Sequence, residues 1–281
     1  MREPLYTPGA GRVPPELVGR DAVLERWTGT LSTARGAAHL PKDVVHTGPP
    51  GAGRTVLLGR ALELAAGEGY RVLRVDGRPG AWLRDALAPE LATLGLRLDL
   101  LDADETAALA ERVARLPGFL AEVLTDLAGV DGEGRGLVVG IDDLHLVDPE
   151  EAGRLGVAVE LMETPPDAPV LLVATGGPDT WERLRGDGLR PVNDHPEKWF
   201  DLRPLPALSE EEASRALQRP AERVGVRWEP EAVELVVATA DGHPGRLQSA
   251  AAAVWALGSG TDPVTAAHAR QALRSVELPA P

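Results

Sequence analysis

Cysteine is absent from this chain of 281 residues, which excludes disulfides, thiolate metal sites and cysteine nucleophiles. Lysine is nearly absent too, because Lys42 and Lys198 are its only occurrences. No apolar run reaches about 18 residues, so we expect no transmembrane helix. The first residues lack the apolar core of a secretion signal. We therefore expect a soluble, cytoplasmic protein without membrane association.

Negative charge is in excess over the whole chain. The formal net charge is −14 at pH 7, whereas proteins that bind nucleic acid need a basic face to contact phosphates. This balance argues against nucleic acid as the main partner. The hydrophobic content of 43% and the charged content of 26% are typical of a globular protein that can bury a core.

A glycine-rich turn in residues 43–55, DVVHTGPPGAGRT, joins a β-branched run to a helical pattern. Strand, glycine turn and helix in this order are typical of a phosphate-binding loop, although a plain turn between a strand and a helix would also use these glycines. Glycines let backbone N–H groups point at phosphate oxygens, and the helix start adds its positive end. We expect this stretch to bind nucleotide through Pro50, Gly51, Ala52, Gly53, Arg54, Thr55 and Val56.

One residue departs from the usual loop, which has lysine before its Ser or Thr. Here that position is Arg54. Arginine keeps the positive charge, but the two side chains are not equivalent around phosphate. Codon usage in a GC-rich genome is a second explanation, since lysine is scarce throughout. Thr55 follows, where its hydroxyl is expected to ligate Mg²⁺.

Two adjacent carboxylates, Asp142 and Asp143, end an apolar run that is typical of a strand buried on both faces. In proteins with a phosphate-binding loop, an acidic residue at a strand end holds Mg²⁺, and a further residue positions the attacking water. We predict these roles for Asp142 and Asp143. The alternative is a pair of capping or loop aspartates.

Two further polar positions are candidates for reading the γ-phosphate. Thr175 ends a second apolar strand, where its hydroxyl could position water, or it is only a turn residue before two glycines. Arg246 lies in the first turn of a helix that starts near Pro244. It is predicted to reach the phosphates, the alternative being a solvated surface arginine. His243 is interpreted as a loop residue.

Strand-like and helical segments alternate up to residue 204, and only helical patterns follow. The predicted strands are 44–47, 70–76, 136–143, 169–175 and 198–202. The predicted helices are 22–31, 56–67, 81–94, 105–128 with a break at Pro117, 149–162, 179–185, 209–224, 230–240, 244–257 and 263–275. Such alternation predicts parallel strands with right-handed crossovers.

The fold class predicted from this order is α/β, a P-loop NTPase with a mostly parallel five-stranded sheet flanked by helices, followed by a small all-α lid domain. The predicted limits are 1–15 for an extended N-terminal arm, 16–204 for the core and 205–281 for the lid.

In their order and spacing the motifs resemble those of the AAA+ ATPases, in particular the origin-recognition-like and signal-transducing (STAND) branch. LVGR at 17–20 is similar to the segment that touches the adenine, GPPGAGRT to Walker A, LVVGIDDLH to Walker B and LLVATGG to the sensor 1 strand. LRPLPALSEEEASRAL is similar to the linker into the lid, and GHPGRLQ to the sensor 2 helix start. The resemblance extends roughly from Val18 to Trp255.

The resemblance implies that ATP or ADP binds with Mg²⁺ in a cleft between core and lid. It places Val18 and Gly19 near the adenine and Pro244 near the base. It also implies an arginine finger from a neighbouring subunit. Lys198 occupies the expected place of that finger, with Arg190 as an alternative.

Three substitutions, Arg54, Asp143 and Lys198, keep the charge sign of the usual residue and change its reach or geometry. The sequence therefore predicts an Mg-ATP-binding ATPase or nucleotide-driven switch that acts on a partner protein and assembles with its own copies on binding ATP. The alternative is a hydrolysis-deficient nucleotide-binding scaffold. A DNA-loading initiator is a third interpretation, which the net charge argues against.

Overall fold

The computed structural model describes residues 4–37, 40–77, 85–89, 104, 108, 117–129, 136–162, 168–185, 200–258 and 262–278. The chain divides into two compact units. The sheet unit comprises Glu25–Thr47 and Leu58–Pro204, and the helical unit comprises Met1–Leu24, Gly48–Leu57 and Leu205–Pro281. No helix in the described ranges is long and apolar enough to cross a membrane.

The sheet unit is built on five parallel strands in the order β2-β3-β4-β1-β5. They are β1 Asp43–Thr47, β2 Arg71–Asp76, β3 Leu137–Asp142, β4 Val170–Gly176 and β5 Phe200–Pro204. Val45 of β1 aligns with Ala174 on one side and Leu202 on the other. Because all strands run in one direction, their carboxyl ends share one edge. The predicted parallel five-stranded sheet is confirmed.

Burial explains why three of the five strands, β1, β3 and β4, are largely apolar in sequence. Every residue of β1, β3 and β4 is buried, as expected for parallel strands covered on both faces. The core of the sheet unit includes Val139, Ile141, Leu155 and Leu172. The strand ends are therefore fixed by packing along their whole length, which positions the polar residues that follow.

The helices up to β5 lie close to their predicted limits. They are α1 Asp21–Ala34, α2 Arg54–Gly67, α3 Pro117–Gly129, α4 Pro149–Leu161 and α5 Thr180–Arg185, with a short 3₁₀ turn at Leu144–Leu146. Of the helix predicted over 105–128, residues 105–107 and 109–116 lie outside the described part of the chain, so its predicted start and its predicted break at Pro117 stay predictions. Of the helix predicted over 81–94, residues 85–89 are described, and they are helical.

The helical unit contains α6 Glu210–Arg223, α7 Pro230–Ala240, α8 Pro244–Gly258 and α9 Ala266–Leu273. A capping box starts α6, because the Ser209 hydroxyl accepts from the Glu212 N–H while the Glu212 carboxylate accepts from the Ser209 N–H. The start predicted for the last helix, residue 263, is wrong. A second capping box, between Thr265 and His268, starts α9 three residues later.

The N-terminal residues pack into the helical unit. Residues 4–15 form neither helix nor strand, in keeping with the predicted arm. The Tyr6 ring is buried at 2% exposure and meets Trp228 and Trp255 edge-on. Its hydroxyl donates a hydrogen bond of 2.6 Å to the Leu217 carbonyl. The arm is thus anchored at its start, and the predicted domain limits remain a prediction.

Candidate functional site

The glycine-rich turn follows β1 in the chain and runs directly into α2. Gly51 and Gly53 have φ values of +83° and +87°, a backbone region that other residues enter only at a cost. Helix α2 begins at Arg54, so Thr55 lies in its first turn. That turn carries no acidic residue, and its positive end is therefore not neutralised locally. This is the local structure that an anion site at a helix start requires.

Three consecutive carbonyl groups of the turn accept hydrogen bonds within the helical unit. The Pro50 oxygen lies 2.9 Å from His243 Nε2, the Gly51 oxygen accepts from the Gly245 N–H at 3.0 Å, and the Ala52 oxygen accepts from the Arg20 guanidinium at 2.9 Å. A carbonyl oxygen carries partial negative charge and would repel a phosphate. Each of these three oxygens is directed at a protein donor instead. These contacts fix the orientation of the turn without occupying its N–H groups.

Arg20 is one of the most deeply buried charges of the described chain, at 2% exposure. Besides Ala52, its guanidinium donates to the carbonyl oxygens of Gly19 and Pro206, at 2.9 and 3.0 Å. Burial lowers the pKa of Arg20, and the charge of Glu212 opposes that shift. Arg20 therefore joins the turn to the segment that leads into α6.

Asp142 and Thr175 meet at the carboxyl ends of β3 and β4 in the sheet unit. The Thr175 hydroxyl donates to Asp142 Oδ1 at 2.6 Å and accepts from the Asp143 N–H at 3.1 Å. The other carboxylate oxygen of Asp142 lies 3.5 Å from the Arg74 guanidinium. One buried hydroxyl thus fixes the side chain of the first acid and the backbone of the second.

Asp143 has an unusual backbone conformation for a residue other than glycine. Its φ is 52° and its ψ 45°, and it precedes the 3₁₀ turn without capping it through its side chain. Its Oδ1 lies 3.9 Å from His145 Nδ1. His145 itself packs against the turn after β4, where a Cβ on Gly177 would come within 2.9 Å of its ring. The Asp143 carboxylate therefore lies beside an imidazole.

The sequence profile of the AAA ATPase domain matches residues 16–173, more than half of the chain. The chain belongs to the AAA ATPase domain family. That family binds nucleotide and hydrolyses ATP, in agreement with a glycine-rich turn between β1 and α2. No curated protein matches the chain significantly in sequence.

Solved structures show the AAA fold in the chain as a whole. ORC2 of Aeropyrum pernix in its ADP form has a TM-score of 0.62 and 18% identity, over 97% of this chain and 73% of that one. The same protein in ADPNP–ADP complexes gives 0.61 and 20%, over 95% and 70%. RuvB of Thermotoga maritima, a Holliday junction branch migration motor, gives 0.55 and 18%, over 92% and 69%. At such identities the likeness is one of fold alone.

The predicted residues of the AAA site fall into two groups. The helical unit brings together the turn, Gly19, Pro244 and Arg246, the last two in the first turn of α8. Val18 packs against the apolar core of the same unit. The sheet unit brings together Asp142, Asp143 and Thr175. Lys198 and Arg190 lie outside the described residues.

The structure gives three residues in these groups contacts that the sequence did not predict. His243 and Arg20 both contact the glycine turn, and His145 lies beside Asp143. The one signal in the sequence was the place of Arg20 within the LVGR segment. His243 was interpreted as a loop residue, and its partner Pro50 is 193 positions away in the sequence.

Proposed function

We propose that this AAA-family chain binds Mg-ATP and uses it as a switch that acts on a partner protein. The observation that carries the proposal is the glycine turn, with two residues at positive φ directly before α2. The backbone of Gly51 through Thr55 binds the phosphates, and Arg54 replaces the usual lysine contact. Pro50 and Val56 flank that cradle. Val18, Gly19 and Pro244 contact the base, as the family resemblance implies.

Magnesium is the metal that suits this proposal. Among the described residues, no group of three or more His, Asp or Glu side chains could hold a metal alone. Mg²⁺ needs no such group, because it binds through one or two oxygen ligands together with substrate phosphates and water. The oxygen ligands proposed here are the Thr55 hydroxyl and the Asp142 carboxylate. Bound Mg²⁺ supplies charge that neutralises the phosphates.

For hydrolysis we propose that Asp143 orients the attacking water. The Thr175 hydroxyl, which holds Asp142 and the Asp143 backbone, keeps both acids in place. Arg246 reads the γ-phosphate from the start of α8. Lys198 acts as the finger that one copy inserts into the site of its neighbour. This arrangement supports homo-oligomer formation on ATP binding.

A second candidate function is nucleotide binding without turnover. Asp143 is one methylene shorter than the usual glutamate, and its carboxylate lies beside His145. A reacting group displaced by about 1 Å can lose roughly 10²-fold in rate. Tight ATP binding with no phosphate release favours this candidate. Turnover restored by R54K together with D143E would show that these two residues limit hydrolysis.

Titration calorimetry with Mg-ATP, together with thermal unfolding, tests nucleotide binding. At a free ligand concentration of about 100 Kd, the folded state gains about 2.7 kcal/mol, so the melting temperature is expected to rise. T55V removes the hydroxyl at nearly constant shape and is expected to lose the Mg²⁺-dependent part of the affinity, whereas T55S retains it. The absence of both heat and thermal shift with wild-type protein would contradict the proposal.

A further inference from the structure

Helix α8 contacts the glycine turn through two adjacent hydrogen bonds. His243, directly before the helix, reaches the Pro50 carbonyl oxygen, and the Gly245 N–H in the first helical turn donates to the Gly51 oxygen. The two backbones touch at this point. A Cβ on Gly245 would lie 3.2 Å from the Gly51 Cα, and a Cβ on Gly51 would lie 2.6 Å from His243 Cε1.

The His243 ring uses both nitrogens in these contacts. Since the Pro50 carbonyl can only accept, Nε2 must carry the proton that it donates. Nδ1 in turn accepts from the Arg246 N–H at 3.2 Å, which caps α8 at its third residue in the usual manner of an N-cap. The contacts therefore define one neutral tautomer of His243. Its Nδ1 caps α8, and its protonated Nε2 donates to the glycine turn.

We propose that His243 is a positioning residue that makes the nucleotide-binding conformation of the glycine turn depend on helix α8. The proposal rests on the proposed function, because it assigns the turn to phosphate binding. Because the His243 ring contacts both the turn and the start of α8, a shift of α8 and Arg246 breaks the hydrogen bond to the Pro50 carbonyl. By linkage, a nucleotide that favours the fixed turn must favour the engaged helix by the same factor.

The alternative is that His243 only caps α8. The two roles use different atoms, so two amide variants separate them. H243N offers an acceptor near the place of Nδ1, and asparagine is among the best N-cap residues, but it is too short to reach Pro50. H243Q extends an amide N–H₂ towards the place of Nε2. H243A removes both contacts.

The experiment measures Mg-ATP affinity, melting temperature and hydrogen exchange of the turn peptide, the last in nucleotide-free protein. H243N is expected to melt close to wild type, to bind ATP about three- to tenfold more weakly, the factor for one neutral hydrogen bond, and to exchange faster in the turn. H243Q is expected to regain most of the affinity and protection. H243A is expected to lose affinity and melting temperature together.

Two results would overturn the proposal. One is an H243N protein that keeps wild-type affinity and wild-type exchange, which leaves His243 as a cap only. The other is H243Q as weak as H243N, which removes the Pro50 contact as the cause. If wild-type protein bound no nucleotide, the proposed function would fail, and the exchange comparison alone would still decide whether His243 holds the turn.

Discussion

Thr175 carries more contacts than any sequence pattern shows. Its hydroxyl is fully buried and lies between the Asp142 carboxylate and the Asp143 N–H. T175V keeps the shape of the side chain but removes the hydroxyl from the Asp142 carboxylate and the Asp143 N–H. We expect the free energy of unfolding to fall by about 1–3 kcal/mol, the cost of leaving a buried polar group unsatisfied. Denaturant unfolding measures the loss, and T175S, which retains the hydroxyl, is the matched control. Equal stability of T175V and wild type would contradict this role.

Asp43 predicts an unusual pH dependence. It is buried at the start of β1, and its carboxylate accepts from the Leu172 N–H at 2.7 Å. Burial raises the pKa of Asp43 from 3.8 to about 7, although that hydrogen bond opposes the shift. The folded state thus binds a proton that the unfolded state releases between these values. Stability from Asp43 is present below about pH 4 and is lost as pH rises through 7.

D43N is neutral in both states and keeps an acceptor for Leu172. Relative to wild type it should gain stability between pH 4 and pH 8, up to about 4 kcal/mol for a shift of this size. Chemical denaturation at several pH values measures the difference between the two proteins. A constant difference across this range would show that Asp43 titrates alike in the folded and unfolded states.

Among single residues, the sequence revealed those whose chemistry follows from their neighbours in the chain. The glycines of the turn and the acids at the end of β3 were found because strand, turn and helix are adjacent in the chain. His243 and Arg20 were missed as contacts because their partners in the turn are 193 and 32 positions away. A histidine in a loop carries no local mark of such a partner.

The glycine turn, as an element, offers a matched pair of substitutions. G51A and G53A both force alanine to positive φ, at about 1–2 kcal/mol each. A Cβ on Gly53 meets nothing within 4 Å, whereas one on Gly51 meets His243 at 2.6 Å. G51A should therefore lower stability and ATP affinity more than G53A, as measured by unfolding and calorimetry. In the H243A background, the difference between the effects of G51A and G53A should become smaller. Equal effects of the two single variants would contradict the close approach of Gly51 and His243.

Element identity followed from periodicity, whereas several element ends did not. β1, β3 and β4 are buried along their whole length and give apolar runs, whereas β2 alternates. All five strands were found within one or two residues of their described limits. The start of α9 was predicted three residues too early, at 263 instead of Ala266. The helix is started instead by the hydroxyl of Thr265 and its partner His268. Ends are set by such caps, which a hydrophobic pattern does not register.

For the whole molecule, the proposed finger in trans makes a kinetic prediction. If Lys198 of another copy completes each site, as proposed, ATP turnover per chain should rise with protein concentration. Steady-state phosphate release over a wide concentration range measures this. K198A should remove the concentration-dependent part while leaving Mg-ATP affinity near wild type. A turnover per chain that stays constant at all protein concentrations would rule out a finger supplied in trans.

Fold class could be predicted because alternating strands and helices admit few arrangements. The division of the chain segments between the two units could not be predicted. Residues 1–24 and 48–57 cluster with the helices after 204, although they precede or interrupt the segments of the sheet. Such grouping depends on contacts like that of Tyr6 with Leu217, which are 211 positions apart.

The anchored arm has a consequence for protease treatment. Tyr6 holds the arm near its start and Arg20 is buried just beyond its end, while Gly9, Gly11 and Arg12 between them are exposed. Exposed loops of small and polar residues are the usual sites of nicking, and trypsin can cut after Arg12. The segment before the cut would then stay bound through Tyr6. A nicked sample would run as one particle in native separation and release the peptide only on denaturation.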